Sequence, residues 1–524
     1  MRRPKTVLFL IVLLTVTVGL MPIVTAEKTQ KIDVSVMMPH FGGIPTDKPV
    51  HQQWEKLMNK LLDVDINFTW SFIPWGEFAE KTNLAMASGD LPDLMYVPTA
   101  DATIPYEDQD IFVELSEYEE IMPNYIKFVD SIHYGRSKIE NADGHYYGFR
   151  NVEIPRLEQG LGIYSVSAYR YDVFEDQGIK IPETTEEFYQ AAKQLRTLFP
   201  DKYPVAYANW HGVFKTAGGI FWNGNEFVYG PITDGYRDML AFANKLYSEN
   251  LIDPESFTYD NDTRTMRALN GSNYMQMSIW FNYVVDWNNN EEADGVWVNA
   301  LYPSDEKYGV AWQNVVNVNE PTLGSHMLTI NADADNRELL IKMCDLQFTD
   351  EVIELVTWGI EGDSFVRDEN GNPTFIDQIK NAANPWTEGD NWGMRASSMY
   401  RPGLQLAIDT KAFLDFAPKE ASYIDGKYIE ISWEEAFPEY SWPDSELIPT
   451  NVFAPPVSFT TDESQDNATI MTVANTIVDE TKLKFIRGEL SVENDWDSYV
   501  KNIEDTNIQK VLDLYNEKAA LITQ

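Results

Sequence analysis

Between Ile32 and Val97 the chain passes twice from the two-residue rhythm of a strand to the longer rhythm of a helix, and few folds accommodate that order. Ile32, Val34 and Val36 alternate with polar residues, and the loop Pro39-His40-Phe41-Gly42-Gly43 leads to an apolar periodic stretch from Val50 to Leu62. Ile66, Phe68, Trp70 and Phe72 alternate again. Trp75 to Ala87 reads as a helix ended by Ser88-Gly89-Asp90, and Leu94-Met95-Tyr96-Val97 reads as a short buried strand. Strands separated by helices pair in parallel, because the crossover must lie against a face of the sheet; the order predicts an α/β unit with helices on both faces. In open sheets of this kind ligands sit beyond the C-terminal strand ends. That places the His40–Gly43 loop and the residues after Val97 at a candidate site.

At 524 residues the chain exceeds what one core usually supports, so two to four structural units are expected. Hydrophobic residues at 44% suffice for those cores and exclude disorder as the main state. With 82 acidic against 40 basic residues, the net charge of −42 leaves no footprint for nucleic acid and disfavours anionic membrane surfaces. A single cysteine, Cys344, rules out an intramolecular disulfide and a multi-cysteine metal or iron–sulfur site. It falls on a helical stretch with Leu339, Leu340 and Met343, as core.

Arg2, Arg3 and Lys5 precede an uncharged apolar run from Val7 to Val18, followed by Gly19, Pro22 and Val24-Thr25-Ala26. This reads as a secretory signal peptide, residues 1–26, cleaved after Ala26; a retained anchor is the competing reading, against which Gly19 and Pro22 interrupt the run.

A second unit begins after Gly144-His145-Tyr146-Tyr147-Gly148 and Pro155. Thr184 and Glu187 fit a capping box opening a helix with Phe188, Ala191, Ala192, Leu195 and Phe199 on one face, stopped by Pro200. Another helix is expected over Tyr236 to Tyr247, closed by Asn250 and Asp253-Pro254. Asn370-Gly371 marks a hairpin between Phe365-Val366 and Thr374-Phe375.

Several segments together carry a resemblance. Ala87-Ser88-Gly89-Asp90-Leu91-Pro92-Asp93, Asp143 to Gly148, Pro182 to Phe188, Leu246 to Pro254, Trp358-Gly359-Ile360-Glu361-Gly362 and, near the C-terminus, Ala454 to Thr460, Phe485 to Glu489 and Trp496 to Tyr499 occur in this order. The chain resembles a family 1 extracellular solute-binding protein, of the long subclass serving sugar and oligosaccharide ABC importers. The resemblance implies a two-lobed, periplasmic-binding-protein-like α/β fold, each lobe a mostly parallel sheet flanked by helices, joined by a hinge of crossing segments. By that analogy 27–152 and 321–378 form lobe 1, while 153–320 and 379–524, with C-terminal helices, form lobe 2. The crossings fall near Asn151–Pro155, Asn319–Gly324 and Phe375–Ala383. It also implies a carbohydrate ligand, permease subunits as partners, a monomer, no cofactor and no covalent chemistry.

Sugar rings present apolar C–H faces that stack on aromatic planes, and 15 tryptophans are available. Trp75, Trp210, Trp222, Trp280 and Trp392 lie in loop-like contexts and are the candidate ligand-binding residues; ordinary core packing is the competing reading for each. Trp358 is expected to pack at the hinge. Relatives carry a lipid-accepting cysteine after the signal region, which this chain lacks. Others carry a calcium loop where this chain reads Phe199-Pro200-Asp201-Lys202-Tyr203-Pro204, without alternating oxygen ligands. Neither His-Glu-x-x-His, Gly-x-Ser-x-Gly nor a phosphate-binding loop occurs. The alternatives are a peptide-binding importer subunit, a glycan hydrolase, whose carboxylate pair no spacing reveals, and a receptor feeding a sensor kinase.

Overall fold

The computed structural model describes residues 30–522 apart from 41–42, 155–164, 207–209, 281, 289, 313–321, 383–384, 395–401, 405, 410–419, 425–426 and 432–453. The signal segment 1–26 lies outside the described residues.

The N-terminal order is β1 (Gln30–His40), helix Pro49–Leu62, β2 (Val64–Pro74), helix Trp75–Ser88 and β3 (Leu94–Val97). β1 runs parallel to both neighbours, with Ile32 opposite Ile66 and Val36 opposite Leu94. The alternation does what it predicts: Ile32, Val34, Val36 and Met38 are buried on one face of β1. Both helices end in the left-handed region, at Asp63 (φ 54) and Gly89 (φ 71).

Next come β4 (Gly148–Ile154), β5 (Ser165–Arg170), the short pair β6 (Ile220–Trp222) and β7 (Phe227–Tyr229), β8 (Met275–Trp280) and β9 (Trp297–Ala300). β10 (Thr322–Ile330), the hairpin β11 (Phe365–Arg367) and β12 (Pro373–Phe375), β13 (Ala407–Asp409), β14 (Glu420–Ile424) and β15 (Lys427–Ile431) complete the strands. Two main sheets result, in the orders β13-β4-β10-β3-β1-β2 and β15-β14-β9-β5-β8. Each has its own core. The first gathers Trp54, Tyr125, Phe149, Leu328, Cys344 and Trp358; Trp358 packs on Phe375 with ring centroids 4.8 Å apart. Burial pushes the Cys344 thiol well above its usual pKa, in keeping with core. The second core gathers Tyr169, Phe188, Trp210, Tyr236 and Met275, closed by the helices Thr461–Arg487, Trp496–Glu504 and Ile508–Ile522 through Phe485, Tyr499 and Val511.

Two expectations need correction. The second sheet is mostly antiparallel, since β5 pairs antiparallel with both β8 and β9, and only β9 and β14 run parallel there. A long connection does not dictate parallel pairing when the two strands it joins, here β8 and β9, flank a third instead of pairing. The third passage between sheets also lies beyond Phe375–Ala383: Ile379, Met394, Leu404 and Leu406 are fully buried in the first core, and β13 joins β4 in parallel. β13 therefore still belongs to the first sheet, and β14 is the next described strand of the second. These apolar residues are too sparse to show a period, whereas Asn370-Gly371 forms the hairpin turn expected of it, between the antiparallel β11 and β12. There the Asp368 carboxylate accepts the N–H groups of Asn370 and Asn372, each at 2.8 Å, and Gly371 takes φ 84.

The helix Thr185–Leu198 has half the expected box: Thr184 Oγ1 accepts the Glu187 N–H at 3.2 Å, but the Glu187 carboxylate turns to the Glu183 N–H at 2.8 Å. A complete box opens the helix Thr461–Arg487, where Thr460 Oγ1 accepts the Glu463 N–H and Glu463 accepts the Thr460 N–H. Thr460→Ala is expected to lower stability by about 1 kcal/mol, read as a shift of the urea midpoint at unchanged slope. Among the described residues no helix is long and apolar enough to cross a membrane.

Candidate ligand-binding site

Strand directions collect all three passages at one edge of the first sheet. β1, β2 and β3 are parallel; β10 is antiparallel to β3 and to β4, so β4 runs with β3, and β13 runs with β4. The C-terminal ends of those five strands and the N-terminal end of β10 consequently share an edge. The chain leaves for the second sheet after Ile154 and after Asp409, and returns into Thr322. This is the edge at which ligands of open α/β sheets bind.

Trp75 stands there. It is the first residue of the helix that follows β2 and remains 45% exposed, enough to offer part of its ring to a ligand. One side packs on Phe78 (5.9 Å, 20°), and His326 meets it edge-on (5.1 Å, 65°). Trp392 is on the same lobe: its carbonyl accepts the Val50 N–H at 3.2 Å, beside the first turn of the helix after β1, and its half-buried ring packs on the first core. His51, one residue farther along that helix, is buried and accepts the Gly403 N–H at Nδ1, which leaves its proton on Nε2 facing Glu55.

The second lobe holds the other candidates, and the structure separates them. Trp210 is 1% exposed, wedged edge-on between Phe188 (4.8 Å) and Phe242 (5.0 Å). It is a core residue here, and the small and polar residues around it in sequence do not reflect its surroundings in space. Trp222 ends β6, half-buried, with its ring against Phe227, which in turn meets Tyr515 of the last helix. Trp280 ends β8 opposite Ser165, where the chain arrives from the first lobe; its side chain lies outside the described residues. Trp312, just before the return passage, donates its backbone N–H to Gly212 and carries the Lys215 ammonium 5.4 Å from its ring centroid. Burial pushes Lys215 down to about 8.

Next to Trp210, His211 stacks on Tyr236 (5.8 Å, 22°). Burial, with the Lys482 charge nearby, holds its imidazole down to about 4. The unfolded chain binds this proton near pH 6.5 and the folded one only near 4, so stability is full above 6.5 and is lost as pH falls through that window. His211→Gln is expected to flatten the stability curve between pH 6.5 and 4 by about 3 kcal/mol relative to the parent protein; parallel urea titrations at both pH values check it.

Residue types and geometry at the edge suit stacking and hydrogen bonding. Among the described residues no cluster of His, Cys, Asp and Glu could hold a metal ion. In the segment Phe199 to Pro204, the Lys202 ammonium donates to the Gly271 carbonyl.

Residues 45–359 match the family described as bacterial extracellular solute-binding protein. The chain belongs to that family. This solute-binding protein is 25% identical over 388 residues to the fructooligosaccharide ABC transporter substrate-binding protein FusA of Streptococcus pneumoniae, covering 68% of this chain and 67% of that one. It is 26% identical to the polygalacturonan/rhamnogalacturonan-binding protein YtcQ of Bacillus subtilis over 42% of this chain, spanning 45% of that relative. Its fold superposes on an HMO-binding, ABC-transporter-associated solute-binding protein of Bifidobacterium longum infantis (TM-score 0.67, 16% identity, 94% of this chain and 99% of the other). It also superposes on the alginate-binding protein AlgQ2 (TM-score 0.68, 16% identity, 94% and 99%). The two sheets with their separate cores are the two lobes of that fold.

His326 was not legible as a site residue. Its signal is indirect: Gly324 inside the strand run Thr322 to Ile330, a residue that often marks a bulge.

Proposed function

We propose that this solute-binding protein takes up an oligosaccharide between its lobes, closes on it and presents it to the permease of an ABC importer, as a monomer without covalent chemistry. The observation that carries this is the coincidence of the three interlobe passages with the edge that displays Trp75. A ligand bridging there touches both lobes and stabilises the closed form by its contacts in it. The names of FusA and YtcQ, both carbohydrate binders, support the ligand class. Trp75 is the leading platform, with Trp392, Trp222 and Trp280 as further stacking candidates. The leader 1–26 is removed on export, and the lobes meet at the passages after Ile154, before Thr322 and after Asp409.

A thermal-shift screen of the chain from Glu27 against oligosaccharides, monosaccharides and peptides tests this. Ligand at a hundred times Kd adds about 2.7 kcal/mol to the native state, and a rise of several degrees is expected with an oligosaccharide. A rise with peptides alone contradicts the reading. Chromatography of the same mixtures is expected to return the sugar intact; turnover abolished by one carboxylate substitution would make the protein a hydrolase.

A further inference from the structure

β10 is not a regular strand where it meets the first passage. Leu323 pairs with Val152 and Met327 with Arg150, so Gly324, Ser325 and His326 stand against Asn151 alone. Such a bulge redirects the side chains within it. Its geometry is held from β4: the Arg150 guanidinium donates to the Gly324 carbonyl from Nε (2.9 Å) and Nη2 (2.6 Å), and from Nη1 to the Lys138 carbonyl (3.3 Å). The Asn151 carboxamide fills the space beside Gly324, where a Cβ would come within 2.3 Å of both its terminal atoms. A side chain at 324 would therefore have to displace the Asn151 carboxamide. The residue released from the ladder is His326, and its ring meets the Trp75 ring edge-on at 5.1 Å.

We infer that this bulge makes His326 the positioning residue of the Trp75 platform: Arg150 and Asn151 fix Gly324, Gly324 directs His326 out of the ladder, and His326 sets the angle at which the indole faces a sugar ring. The inference rests on Trp75 being a ligand platform. It adds that the platform is mounted on β4 and β10, two of the strands that carry the chain between lobes, so that sugar stacking and the hinge segments form one mechanical unit.

The test uses the chain from Glu27 with 5-fluorotryptophan, the residue-75 fluorine resonance being identified by Trp75→Phe. In the ligand-free protein, His326→Ala and Gly324→Ala are each expected to move or broaden that resonance. His326→Phe, which restores an edge-on ring, and Asn151→Gly combined with Gly324→Ala, which removes the clash, are expected to return it. With kestose as probe, the two disruptive variants are expected to raise Kd about fivefold or more at unchanged melting temperature, and the two restoring variants to recover it. A residue-75 resonance insensitive to His326→Ala overturns the inference whether or not kestose binds. So does unchanged kestose affinity in His326→Ala where Trp75→Ala weakens it. Normal kestose affinity in Trp75→Ala removes instead the platform reading on which the inference stands.

Discussion

Truncating Trp210 to alanine lowers the stability of the second lobe by about 3–5 kcal/mol, the range for a large aromatic removed from a closed core. Trp210 is 1% exposed and its ring is held edge-on by Phe188 and Phe242. The indole Nε1 meets no acceptor among the described residues, so what is lost is apolar contact and the cavity left behind. The loss is to be read from the denaturation midpoint, with the slope unchanged. Trp210→Phe, which refills most of the volume, is expected to recover more than half of it. A Trp210→Ala protein of unaltered midpoint that no longer binds sugar would make Trp210 a platform after all.

Trp75→Ala has the opposite signature. With nearly half its surface in solvent, the side chain leaves no internal void, and the midpoint is expected to move little. An aromatic platform contributes of order 1 kcal/mol beyond its buried area, and that area adds to it, so Kd for the oligosaccharide identified in the screen is expected to rise at least tenfold. Calorimetric titration of parent and variant side by side gives both numbers. Affinity within twofold of the parent would remove Trp75 from the site.

The contrast between these tryptophans shows what a sequence conveys. Trp75 and Trp210 both lie in loop-like contexts in the sequence, yet one opens a helix at the sheet edge and the other fills the second core. Local composition reports the backbone's need for loops and turns, whereas burial depends on Phe242, distant in the chain, arriving from another helix. The first lobe was legible because its strands and helices alternate within seventy or so residues, so that periodicity and the crossover rule fix neighbours and direction together. In the second lobe β5 pairs with strands about a hundred residues away, and no local pattern states which strand flanks which. The third passage was misplaced for a related reason: Leu404 and Leu406 reach the first core singly, without a period to announce them. His326 was missed because a bulge is a relation between two strands, and the sequence shows only its glycine.

The central claim is capture between two lobes that close. Small-angle X-ray scattering of the chain from Glu27, with and without a saturating oligosaccharide from the screen, measures it most directly. The radius of gyration is expected to fall when the sugar is added, and Trp75→Ala at the same sugar concentration is expected to retain the ligand-free value. An unchanged radius of gyration in the parent protein, at a sugar concentration that calorimetry shows to be saturating, would contradict closure.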